Sequence, residues 1–119
     1  IMEQSEQIVN KIVEGIQEKK GKKVVIINLT GLKNAPCSYF VICEGTTSIQ
    51  VDAIGTSIKD TVREKMNIKP YAIDGLRNSE WVAMDYGSVI VHIFRPQIRN
   101  FYDIEHLWED AEITEIYDE

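Results

Sequence analysis

The sequence is poor in the residues that would tie it to several common classes of protein. It has 2 cysteines in 119 residues, too few for the disulfide framework of a small secreted domain. Cys37 and Cys43, with His92 and His106, supply four possible ligands, but neither pair has the close spacing of a zinc site. Reduced, packed thiols and no metal are the expectation. Basic residues are outnumbered 13 to 19, which leaves a formal net charge of −6. Such a surface repels phosphate, so broad or sequence-specific binding to nucleic acid is disfavoured. The same charge suits a basic protein partner, by speeding encounter and orienting docking. No segment approaches the roughly 20 apolar residues that span a bilayer, so no membrane span is expected. The start, Ile1-Met2-Glu3-Gln4-Ser5-Glu6, lacks the basic and apolar regions of a secretory signal. Met2 reads as the natural start, and the cytoplasm is the expected compartment.

What is present suffices for one domain with a real core, since 44% of the residues are hydrophobic. Ile8, Ile12 and Ile16 fall four apart with Val9 and Val13 beside them, which predicts a helix from about Ser5 to Lys20. Gly21 is the expected left-handed stop. Val24 to Ile27 and Tyr39 to Cys43 are continuous apolar runs, as in strands covered on both faces. Thr47 followed by Gln50 has the capping-box spacing, and Val51, Ile54, Ile58 and Val62 mark the core face of the helix it opens. Pro70 to Ile73 is a short strand before the turn signal Asp74-Gly75. Phe101, Ile104, Leu107 and Trp108 predict one last helix, and the acidic tail after it is expected to fray. The order predicts a mixed α/β or α+β fold with one central sheet. The domain is expected over residues 2–110, with an acidic tail over 111–119.

Candidate chemistry is thin. Nucleotidyl transfer asks for a Gly-Ser turn after a strand and then an Asp-x-Asp pair on the next strand to hold magnesium. Gly45-Thr46 resembles the turn, but Asp103-x-Glu105 and Asp110-x-Glu112 fall in or after the last helix. Cys43 as nucleophile with His92 as base would place both inside apolar strands, where nothing local lowers the thiol pKa. A strand histidine of this kind is more often a hydrogen-bonded structural residue. Gly45-Thr46-Thr47-Ser48 lacks the Gly-Lys pair of a phosphate-binding loop, so its hydroxyls are expected to cap the helix. No enzymatic activity and no cofactor are expected.

The stretch WVAMDYGSVIVHIF, Trp81 to Phe94, carries the contact candidates. Period-two alternation places Trp81, Ala83 and Asp85 on one face of a strand, with Val82 and Met84 on the other. After a tight turn, in which Gly87 takes positive φ, Ile90, His92 and Phe94 share a face. Trp81, Tyr86, Tyr102 and Trp108 are amphipathic residues of the kind enriched at protein interfaces, and each fits a core equally well. Trp108 shares a helical face with Phe101 and Leu107 and leans towards the core, and Asp85 also fits as the residue that starts the turn.

Three blocks carry a resemblance to a known family. The first runs Tyr39-Phe40-Val41-Ile42-Cys43 to Gly45-Thr46, then Gln50-Val51 and Ala53-Ile54. The second is Trp81-Val82, Asp85-Tyr86-Gly87 and Val91-His92-Ile93-Phe94. The third is Arg99-Asn100-Phe101-Tyr102-Asp103, Glu105, Leu107-Trp108 and Asp110. In this order, and with the leading helix, they resemble the ribosomal silencing factor family, also called RsfS or Iojap-related. The resemblance implies a nucleotidyltransferase-like fold without catalytic carboxylates. It implies binding to the large ribosomal subunit through ribosomal protein L-fourteen, which sterically blocks subunit joining and represses translation when nutrients run short. It also implies a homodimer. The family usually has Asp before the Tyr-Phe-Val block, and here that position is Ser38. The expected contacts are Trp81, Asp85 and Tyr86, with Arg95 and Tyr102 as further candidates. The rival readings are a divergent nucleotidyltransferase and a dimerisation module acting elsewhere.

Overall fold

A computed structural model describes residues 3–117. The chain runs α1 (Gln4–Glu18), β1 (Lys22–Asn28), β2 (Tyr39–Glu44), α2 (Ser48–Met66), β3 (Ala72–Asp74), β4 (Trp81–Asp85), β5 (Val89–Phe94), α3 (Pro96–Tyr102), α4 (Ile104–Leu107) and β6 (Glu112–Ile116). Its six strands form one sheet in the order β3-β4-β5-β2-β1-β6. Among the described residues only β2 and β5 pair in parallel, because α2, β3 and β4 lie between them in sequence and give the chain room to cross over. The other neighbours pair antiparallel. The mixed α/β architecture expected from the element order is the one observed.

The period-two pattern sorts the strand residues onto two faces. Val41, Cys43, Val82, Met84, Val91 and Ile93 point to the side that α1 and α2 cover. Phe40, Ile42, Ile90 and Phe94 point to the other side, where Ile98, Ile104 and Trp108 pack on them. On the first side α1 and α2 approach closely. A Cβ at Gly15 would stand 2.8 Å from the Ile58 Cα, so only glycine permits this crossing. The Ser57 hydroxyl donates to the Gly15 carbonyl at 2.8 Å across it.

Several local expectations are corrected by the structure. Helix α1 stops in a Schellman arrangement, with Gly21 N–H donating to Ile16 O and Lys20 N–H to Gln17 O, each at 3.0 Å. Its left-handed residue is Lys20 (φ 59) rather than Gly21. Gly21 instead packs against the Ile16 side chain. Thr47 caps α2 as expected, its hydroxyl accepting from Gln50 N–H at 3.0 Å. The Gln50 carbonyl oxygen, however, accepts from Thr46 N–H, and the Gln50 amide donates to the carbonyls of Lys19 and Lys20. One side chain thus fastens the start of α2 to the end of α1.

The single last helix expected over Phe101 to Trp108 is two. Asp103 takes φ 45 and separates α3 from α4. The break rotates the spacing, so Phe101 and Leu107 face outward while Ile104 and Trp108 pack inward. The tail expected to fray supplies β6, which pairs antiparallel with β1 from Val24↔Ile116 to Asn28↔Glu112. Residues 118–119 of that tail, and Ile1 and Met2, lie outside the described residues. Among the described residues no helix is long and apolar enough to cross a membrane.

Candidate docking face

The β4–β5 hairpin positions most of the expected contact residues. Gly87 has φ 85 and Ser88 does not, which is the pattern of a type II′ turn. Tyr86 N–H donates to Val89 O at 2.8 Å, and the Asp85 carboxylate accepts from Gly87 N–H at 2.7 Å. The register sets Trp81 opposite Phe94 and Ala83 opposite His92. Trp81 therefore stacks on Phe94, with ring centroids 4.9 Å apart, and its indole N–H donates to His92 Nδ1 at 3.1 Å.

That bond fixes the histidine. Burial pushes its imidazole down to about 4, so the ring is neutral at pH 7. Nδ1 accepts, so the proton sits on Nε2, which is buried without a hydrogen-bond partner. The structural role expected of a strand histidine is the observed one. Cys43 faces the opposite side of the sheet, because His92 lies level with Ile42 while Cys43 lies level with Ile93. Burial pushes the Cys43 thiol up to about 12 and the Cys37 thiol up to about 11. No Cys43–His92 dyad can form across the sheet.

An aromatic chain runs from the core to the surface. Trp108 meets Phe40 edge-on, Phe40 meets His92, and His92 holds Trp81. Trp81 then carries Tyr102 at 4.9 Å, and Tyr102 carries Phe101 at 5.0 Å. From Trp81 outward exposure rises: Trp81 is half-buried, Tyr102 is 52% exposed and Phe101 is 79% exposed. Leu107, on the next helix, is 73% exposed. Asp103, exposed between the two short helices, brings a carboxylate beside them.

The five expected contacts do not form one cluster. Trp81 and Tyr102 meet at the end of the hairpin where β5 runs into α3, and Arg95 lies at that end with its guanidinium directed to the start of α2. Arg95 caps α3 ahead of Pro96, and its N–H donates to Glu80 O at 2.8 Å. Its Nη1 reaches Ser48 Oγ at 3.4 Å. Asp85 stands at the other end of β4, about 13 Å away at strand rise. It shares that end with Ser38, whose N–H donates to Ser88 O. Tyr86 must be corrected as a contact. It is 4% exposed and packs into the core under α1 and α2, where burial pushes its phenol up to about 12.

Sequence reading missed two features. One is outward-facing Phe101, assigned to a core face by assuming an unbroken helix. The Pro96 start and the Asp103 stop were signals of a short one. The other is Arg99, which is 7% exposed. It binds both Glu105 oxygens, from Nε at 2.7 Å and from Nη2 at 3.0 Å. Its Nη1 reaches Glu44 at 3.2 Å and Lys23 O at 2.8 Å. Glu105, one of the acidic pair weighed for magnesium, is thus committed to an arginine. No spacing rule brings these four segments together.

Sheet and face define a class: a single mixed α/β domain that presents an aromatic surface on short helices. Comparison with known proteins makes this particular. The family model described as "Ribosomal silencing factor during starvation" matches residues 2–119. The ribosomal silencing factor RsfS of Halalkalibacterium halodurans is 31% identical over 112 residues, covering 94% of each chain. A crystal structure of a Chromobacterium violaceum protein superposes with a TM-score of 0.84 at 29% identity, covering 91% of this chain and 88% of that one. The mouse "Mitochondrial assembly of ribosomal large subunit protein 1" is 33% identical over 72 residues, which is 59% of this chain and 32% of the mouse protein. The chain belongs to the ribosomal silencing factor family.

Proposed function

We propose that this protein docks on the large ribosomal subunit through ribosomal protein L-fourteen, occludes the face that meets the small subunit, and so represses translation under nutrient limitation. The observation that carries the reading is the aromatic step Trp81–Tyr102–Phe101, anchored in the core and open at its outer end. Exposed aromatic anchors on a rigid base are where binding energy concentrates. The net charge of −6 fits a basic ribosomal protein and would act mainly on association rate. The family's printed name and the mouse relative's name, which speaks of the large subunit, support the same target.

The mechanism is occlusion, with no bond made or broken and no cofactor. Trp81, Tyr102 and Phe101 make the central contact, and Arg95 lies at its edge. Asp85 belongs to the other end of the hairpin and contributes only if the partner reaches that far. Co-sedimentation with purified subunits on a sucrose gradient, followed by addition of the small subunit, tests the reading. The protein should travel with the large subunit and lower the yield of joined ribosomes. Trp81→Ala should release it, and Asp85→Lys should weaken it less. If both variants stay folded and bind like wild type, this face is the wrong one.

A further inference from the structure

We propose that Arg99 is the positioning residue of the docking face: its guanidinium sets where α3 and α4 hold Tyr102, Phe101 and Leu107. The inference rests on the docking reading above. Helix α4 has four residues, none of them fully buried, and of these Ile104 packs on the aromatic core. A helix this short is not stable by itself. The left-handed link at Asp103 also removes any continuous backbone ladder between α3 and α4.

Arg99 supplies what packing does not. It leaves α3 and grips both oxygens of Glu105 on α4, a fork that fixes direction as well as distance. The same guanidinium is tied to the sheet at Glu44, the last residue of β2. It is tied again at the Lys23 carbonyl. Lys23 sits at an irregularity of β1 with φ 51, where a bulge re-aims the backbone. One cation therefore registers both short helices to β1 and β2. A buried ion network is a poor source of net stability, since packed apolar groups can replace one without loss. Its effect is geometric. Lysine, a point charge, cannot reproduce the fork. Phe101 and Tyr102 follow Arg99 by two and three residues, and Leu107 follows Glu105 by two, so both arms of the fork end at the exposed face.

Arg99→Lys and Glu105→Gln test this, each read by amide hydrogen exchange and by co-sedimentation with the large subunit, with Phe101→Ala as the reference. Both variants should leave the slow amides of β2 and β5 protected. Both should lose protection over residues 104–108, and affinity should fall about tenfold. Combining them should cost no more than the larger single loss. If they bind like wild type while Phe101→Ala does not, docking stands and the positioning role is overturned. If Phe101→Ala also binds like wild type, the docking reading falls and the role falls with it. Unchanged protection over 104–108 overturns the role whatever the binding shows.

Discussion

On one side of the sheet Ile12, Ile16, Ile54, Ile58 and Val62 are all 0% exposed beneath two long helices. On the other side two short helices leave Phe101, Leu107 and Tyr102 open, at 79%, 73% and 52%. The helix side is mainly aliphatic and fastened by a glycine crossing and by Gln50. The far side is aromatic, and its short helices are registered by one arginine and its two carboxylate partners. One sheet thus separates two tasks. Aliphatic burial under α1 and α2 carries stability, and the aromatic side spends some of its apolar surface on contact.

The largest expected effect is at Ile58, which is 0% exposed beneath α1. Truncation to alanine there leaves a cavity under the glycine crossing and should cost about 2–5 kcal/mol. Denaturant unfolding would show it, while subunit binding by the folded fraction should not change.

His92 sharpens the comparison through pH. Its folded value of about 4 lies below the ordinary 6.5, so the neutral ring is what the fold holds. Protonation would turn a second N–H towards the Trp81 N–H and break their bond. Stability from this group is complete above about pH 6.5 and is lost as the pH falls to about 4, on the order of 3 kcal/mol. The drop in stability between pH 7 and pH 4.5 should be smaller in His92→Gln than in wild type.

Trp81→Ala should cost about 2 kcal/mol or more of binding. It should also cost some stability, because the ring stacks on Phe94. Phe101→Ala should separate the two effects, with a loss of binding and a melting temperature near that of wild type. The smallest effect belongs to the helix side. Thr47→Ala removes the α2 cap for about 1 kcal/mol, readable by thermal melting and silent in binding.

Sequence alone resolved the helix side far better than the aromatic side, for physical reasons. Periodicity reports burial within one element, so Ile8 to Ile16, Val51 to Val62 and the hairpin alternation were legible. The capping hydroxyl of Thr47 was legible because its partner lies three residues away. Arg99 with Glu44 and Lys23 depends on contacts between residues distant in sequence, which no local pattern encodes. Phe101 and Leu107 were misplaced because a helical spacing was carried through Asp103. Strand β6 was hidden because it lies at the sheet edge with four of its five residues exposed, and Glu112 and Glu115 match the composition of a tail. Tyr86 shows the reverse error, since a phenol suited to an interface is buried beneath α1 and α2.

The central claim is that the aromatic face, and not the helix side, meets the large subunit. The most direct measurement compares wild type with the double variant Phe101→Ala/Tyr102→Ala in sucrose gradients with purified large subunits, after circular dichroism has shown both folded. Wild type should sediment with the subunit, and the double variant should stay at the top of the gradient. Equal co-sedimentation of the two would contradict the account and move the search for the contact to another surface.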